Sequence, residues 1–380
     1  MNRSQKDCKT AMGNGKLHSD RTGGSGARAR VKPPVAHFSG QLSLKSTPPT
    51  PFKIDELGQH IFDRGFIDGK TEQSQYVLET IGYQHVSGYF DLFKDDNGNI
   101  IPGSSVKQLH RTILFDRKLQ ALLLEYIGLF ELQFRARFSY MLSLKRGAFA
   151  HRNPKNFKDR KKFDNFLKRY GQEFNRQLKN RNSEITRAYD EYGDAPVWLA
   201  VEIMSFGTLS MLYQNTKSKE IREGVARYFG ATAEELVSWT RALSSVRNIC
   251  AHFNRLCGTK PVSRPKKIPG FDWDNSDPLY AVFLLLYLFR NSPVFDDAPS
   301  LAYNLNLHRD FVQLLTEFDD VFAICGITNE WLKQLFSKAV LGTEANIDLS
   351  EFQLDENIGR VSLSVRRDDG RVVEIGKYKK

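Results

Sequence analysis

This sequence predicts a mainly α-helical bundle, preceded by a disordered basic N-terminal tail and closed by a small C-terminal β-hairpin. Three observations lead there. Apolar residues recur at three- and four-residue spacing through most of the chain beyond residue 50. One stretch, Val106 to about Lys145, keeps that pattern without a break. Strand-like alternation shows only near the C-terminus, in VSLSVRRDDGRVVEI from Val361.

Taken in order, residues 1–50 are rich in Gly, Ser, Lys, Arg and Pro; Met1 to Lys32 alone holds eight Lys or Arg against two Asp. Such a composition cannot bury enough apolar surface to order itself. From Thr50 the character changes, which divides the chain into a helical domain over 51–258, a helical extension over 259–345 and a terminal hairpin and tail over 346–380. Ile54, Leu57, Ile61 and Phe62 mark a first helix that stops at Gly65. Thr71 caps a second, running to Gly82 with Tyr76, Val77 and Ile81 inward. DDNGN at 95–99 is a turn. In the long helix Leu109, Ile113, Leu119, Leu122, Leu123, Tyr126, Ile127 and Phe130 form a broad apolar stripe. Glu131 and Arg135 sit four apart, with the acid first, as a helical ion pair prefers.

Lys145 to Arg187 carries fourteen Lys or Arg against four Asp or Glu. Phe163, Phe166, Tyr170 and Phe174 have helical spacing and should pack inward, leaving Arg160, Lys161, Lys162, Lys168, Arg169 and Arg176 to solvent. That face is either simply solvated or an electrostatic track for an RNA backbone. Asp194, Ala195 and Pro196 open another helix, with Trp198, Leu199, Val201, Ile203 and Met204 as core. Phe206, Gly207 and Thr208 suggest a close backbone approach. Ile221, Val225 and Phe229 mark a short helix ending at Gly230, and Thr232 caps the next. Farther on, helices are expected from Asp277 and Pro278, over Leu307 to Phe322 and over Glu330 to Val340. The hairpin turns about Asp369 and Gly370.

Composition narrows the function classes. The 380 residues, 41% apolar, suffice for one large core or two modest ones. A net charge of +11 and a pI near 9.3 favour a polyanionic partner, nucleic acid or an anionic membrane surface. No signal-peptide-like core is seen near the N-terminus, and the longest apolar run, Leu279 to Phe289, is eleven residues. That is too short to span a bilayer, so no membrane partner is expected. Cysteines at 8, 250, 257 and 325 make no disulfide framework, which suits a reducing cytoplasm. Cys250 and His252 would point about 160° apart on a helix, so neither a zinc site nor any other metal or cofactor is expected.

The stretch with chemistry in it is Ser244 to Arg255, SSVRNICAHFNR, read as one helix. With Arg247 at zero and 100° per residue, Ala251, Arg255, Asn248 and His252 fall within about 140°, and Ile249, Phe253, Val246 and Cys250 on the other side. One face suits a core. The other suits a phosphodiester: guanidinium donors match phosphate oxygens, and an imidazole both takes and gives protons near neutral pH. Asn248, four residues before His252, could orient its ring. Arg247 lies far enough round from His252 that a second copy of the helix is expected to complete the site. RGAFAH, with Arg146 and His151, repeats the spacing, but Gly147 and the Arg152-Asn153-Pro154 run favour a helix end and a loop there.

RNICAH resembles the Rx4-6H signature of HEPN ribonucleases. More of the chain resembles the Abi_2 abortive-infection family, its AbiD/AbiF-like group: FDRGF at 62–66, IGYQHVSGY at 81–89, FDRKLQ at 115–120, ELQFRARF at 131–138, PVWLAVEIMSFGTLSMLY at 196–213 and RNICAHFNRL at 247–256. The resemblance implies a HEPN-like bundle acting as a metal-independent endoribonuclease toxin of bacterial anti-phage defence. It would cleave RNA by 2′-hydroxyl attack, with Arg247, Asn248 and His252 catalytic and Arg255 a further phosphate contact. It also implies a homodimer, since HEPN sites are commonly built between two domains, and restraint by a structured noncoding RNA antitoxin. The alternative is a non-catalytic RNA-binding protein of a defence ribonucleoprotein.

Overall fold

A computed structural model describes residues 50–260, 263–271, 277–291, 298–335, 360–366 and 372–379. The basic tail expected over 1–50 lies, up to residue 49, outside the described residues, as does the hairpin turn about Asp369 and Gly370.

The architecture is mainly helical. The helices are α1 (Ile54–Asp63), α2 (Glu72–Ile81), α3 (Tyr83–Ser87), α4 (Val106–Arg146), α5 (Arg160–Lys179), α6 (Ser183–Tyr192), α7 (Val197–Ala200), α8 (Phe206–Asn215), α9 (Lys219–Arg227), α10 (Ala233–Ala251), α11 (Tyr280–Asn291), α12 (Ala298–Glu317), α13 (Phe322–Cys325) and α14 (Asn329–Leu335). Strands β1 (Arg360–Arg366) and β2 (Val372–Lys379) pair antiparallel, with a register shift between Leu363 and Ser364.

The 41-residue α4 is about 60 Å long and runs through both buried clusters. It starts where a capping box forms between Ser105 and Gln108, reinforced by the Asp68 carboxylate, which accepts from the Val106 and Lys107 N–H groups. It ends at Gly147, whose φ of 88° lets the chain turn away. Its first turns (Val106, Leu109, Ile113) pack with Ile61, Phe66, Val77 and Phe90. From Phe115 onward it enters the main core. Phe130, Phe134 and Phe138 stack there at successive turns, 6.0 and 6.1 Å apart, and meet Phe206, Tyr213 and Phe229 edge-on or tilted. α10 crosses the same core through Leu236, Trp239, Leu243, Val246 and Cys250.

Beyond Gly258 the chain stays on this body. The Trp239 indole donates to the Lys266 carbonyl at 2.8 Å, and α11 is buried nearly all round. The helix expected over Leu307 to Phe322 instead spans Ala298–Glu317, with a break before Phe322; the one expected over Glu330 to Val340 is seen from Asn329 to Leu335. In α1, α2 and α7 three side chains read as inward are exposed. Val197, Ala200, Val201 and Met204 take the inward spacing of their segment, so Trp198 falls beside it and is 53% exposed. Tyr76 is displaced in the same way by Ser74, Val77 and Leu78. Phe62 lies outside, under the Lys70 ammonium at 4.2 Å.

Candidate functional site

The reading of Ser244 to Arg255 as one helix is corrected: α10 stops at Ala251, and His252 is its C-cap. The Phe253 N–H donates to the Cys250 carbonyl and the Asn254 N–H to the Ile249 carbonyl, the two bonds of a Schellman closure. That closure needs a left-handed residue after the cap. Here it is Phe253, at φ 54°, where glycine usually sits. A bulky residue so held costs on the order of 1–3 kcal/mol, and such strain persists only where the surroundings over-determine it.

The surroundings are visible. Asp116, in the inward face of α4, is fully buried. Its carboxylate accepts from the Leu256 and Cys257 N–H groups at 2.9 and 3.0 Å, the Tyr89 hydroxyl at 2.7 Å and the Gln120 amide at 2.9 Å. Gln120 also donates to the Asn254 carbonyl at 2.8 Å. A helix continued past Ala251 would take the 256 and 257 N–H groups for itself and strand a buried acid. So the chain bends. Three blocks far apart in sequence, ending in Tyr89, beginning near Asp116 and closing with Leu256, meet at one carboxylate.

The bend changes what the polar face contains. Asn248 and His252 remain on α10 and are exposed. They are joined through the backbone, His252 N–H to Asn248 carbonyl at 3.1 Å, and among the described residues the imidazole has no hydrogen-bonding partner. Arg255 has left the helix: its guanidinium is half-buried, with Nη1 unbonded, and its charge acts on Asp91, whose carboxyl is held down chiefly by the Lys94 ammonium. Phe253, expected on the core side, is 62% exposed, with the Arg117 guanidinium 4.9 Å from its ring centre. Arg117 also contacts the His85 ring, which burial and then this positive charge keep below the usual imidazole pKa.

Arg247 faces the other way along α4. It is half-exposed and its Nε lies 3.9 Å from Glu131, which also pairs with Arg135. Arg135 in turn donates to the Val201 and Met204 carbonyls. The helical pair read at 131 and 135 is therefore buried, and it ties α4 both to α10 and to the segment before α8. The close approach read at Gly207 is also real: a Cβ there would lie 3.1 Å from Ser244 Oγ of α10.

Phe163, Phe166, Tyr170 and Phe174 are buried in α5, and Arg160, Lys161, Lys162, Lys168, Arg169 and Arg176 are exposed. Two of these are already paired, Arg160 with Asp164 at 2.8 Å and Arg176 with Glu173 at 2.7 Å. His151, of the second Arg-four-His match, is fully buried, edge-on to Tyr170 at 5.3 Å. Burial lowers its pKa to about 4, against the pull of Asp194. It is a core histidine. Cys250 is likewise buried, its thiol pushed up to about 12. Among the described residues no three His, Cys, Asp or Glu side chains group as metal ligands, and no helix is long and apolar enough to cross a membrane.

Residues 76–257 match the family model described as Abi-like protein. This segment is similar to Abi-like proteins. It begins within α2 and ends at Cys257, the last residue held by Asp116. No curated protein and no solved structure matches the chain. The Abi-like family points to abortive-infection defence.

Sequence reasoning missed Asp116, Arg117 and His85, although FDRKLQ and IGYQHVSGY, the blocks that hold them, are among those that carry the resemblance. One signal was available: Asp116 interrupts an apolar stripe, between Ile113 and Leu119, where an acid must be satisfied internally.

Proposed function

We propose that the chain is a metal-independent endoribonuclease of HEPN type that acts as a toxin in abortive-infection defence in the cytoplasm. The observation that carries this reading is the exposed His252 imidazole, fixed at a strained helix end beside Asn248, in the segment similar to Abi-like proteins. In the reaction the RNA 2′-oxygen attacks the adjacent phosphorus and the 5′-oxygen leaves, giving a 2′,3′-cyclic phosphate and a 5′-hydroxyl. His252 moves the proton, worth about two to four powers of ten in rate. Arg247 meets the charge growing on the phosphate, and Asn248 orients the imidazole or a phosphate oxygen. Arg255 is a further phosphate contact.

Arg247, drawn toward Glu131, and His252, at the helix end, come from one helix, so two copies of the chain build the site between them. An exposed apolar side of α4, with Leu132 next to Glu131, then Tyr140 and Leu144, is a surface on which a second copy can sit. The cations of α5 hold the RNA backbone, substrate or a noncoding antitoxin RNA. Incubation of the protein with labelled RNA in EDTA, followed by mapping of the new ends, tests the reading. Cyclic phosphate ends lost in His252→Ala are expected, and a mixture of His252→Ala and Arg247→Ala chains should regain activity. Strict dependence on a divalent metal, or full cleavage by His252→Ala, overturns it.

The Arg247–Glu131 contact favours a second reading, in which Arg247 serves the fold and the face only grips RNA. RNA binding without new ends in the same assay selects it.

A further inference from the structure

The cations of α5 fall into two sets. Arg160 and Arg176 are neutralised by carboxylates on their own helix, whereas Lys162 and Arg169 turn toward a groove of about 340 Å³ between α5, α8 and α10. From α10 the same groove receives Arg241. No carboxylate lines it. Among the described residues Lys162 and Arg241 have no ion-pair partner, and the side-chain contact of Arg169 is the Met211 sulfur at 3.9 Å. Three cations brought to one concavity without an anion repel one another, and a bound anion relieves that repulsion. Beside them the groove offers the half-open Met211 side chain against Phe166, an apolar wall, and the Gln214 amide.

The groove and the site share one face of α10. Arg241, Ser245, Asn248 and His252 stand at i, i+4, i+7 and i+11, within about 60° of one another on α10. All four are exposed or half-exposed. Arg241 and His252 are about 16 Å apart along the axis.

We propose that this groove is the subsite for the RNA strand a few nucleotides from the scissile bond: Lys162, Arg169 and Arg241 hold backbone phosphates of a single strand, and the wall of Met211 and Phe166 takes a base. The inference rests on the RNA reading of the protein but not on catalysis. Arg241 is a binding residue that sequence patterns alone passed over, because it lies six residues before the motif.

The test measures binding of a labelled single-stranded RNA of about ten nucleotides by anisotropy, in EDTA, in full chains that all carry His252→Ala so that nothing is cut. Adding Arg169→Gln with Arg241→Gln should weaken binding about tenfold and reduce the slope of log affinity against log salt by about 1.4, two phosphates at about 0.7 each. The charge-matched control, Lys219→Gln with Lys266→Gln, two exposed lysines paired with Glu223 and Glu234 and outside the groove lining, should stay within about twofold. All four positions are exposed, and thermal melts confirm that the variants fold. Equal losses in the two pairs, or no loss in the groove pair, overturn the subsite. An equal loss for a duplex of the same sequence overturns its assignment to a single strand. Cleavage assays on chains with His252 restored are read separately: failure to cut, with the groove effect intact, sinks the nuclease and leaves the subsite standing.

Discussion

RGAFAH and RNICAH carry the same arginine, four residues and histidine, and the molecule puts them to opposite use. His151 follows the end of α4, is sealed against Tyr170 and is held neutral by burial. His252 caps α10 in the open, one residue before a strained Phe253. Spacing is thus no guide to proton-transfer capacity; access to solvent and substrate is. What makes the difference is the neighbourhood. Tyr170 lies edge-on against the first histidine, which is fully buried, while the buried Asp116 pulls the chain after the second into a turn and leaves the ring outside.

The largest effect that would break this comparison is on rate. His252→Ala should lower RNA cleavage about 10²- to 10⁴-fold with its melting temperature nearly unchanged, whereas His151→Ala should lower stability and leave turnover per folded molecule alone. Parallel cleavage and thermal melts of the two variants check this, and a reversed pattern would reassign the site. Next comes the turn itself. Asp116→Ala leaves two backbone N–H groups and the Tyr89 hydroxyl without their acceptor and should cost about 3 kcal/mol or more in urea unfolding. Asp116→Asn, which keeps an acceptor oxygen, should cost less.

Acid tests the burial of His151 by a different route. His151 has its folded pKa lowered to about 4, as has the buried His308. Unfolded chains take up these protons as pH falls below about 6.5, but the folded chain resists until about 4. The stability tied to each neutral ring is therefore complete above pH 6.5 and is lost progressively toward pH 4, by about 3 kcal/mol for His151. His151→Phe should flatten that part of the pH–stability curve, read by urea unfolding at a series of pH values. The smallest effect expected is at Glu131→Gln: Arg247 loses a charged partner, so kcat should fall severalfold, with a stability cost of about 1–2 kcal/mol from the weakened Arg135 pair, read by steady-state kinetics and melts.

Much of the helical frame was legible in the chain. The α4 stripe, the Thr71 and Thr232 caps and the inward aromatics of α5 follow from local periodicity and capping chemistry, which need no tertiary information. Trp198 and Tyr76 were misplaced because a short helix has room for only one inward row, and periodicity does not say which residues win it.

The sequence by itself settled that Arg247 and Asn248 ride one helix and that α5 is basic on one side. It could not say where that helix ends, because its terminator is not a glycine but a carboxylate 136 positions earlier than His252. Nor could it say which cations are spare. Both depend on long-range partners: a helix stops, and a charge stays free, only by virtue of what folding brings beside it.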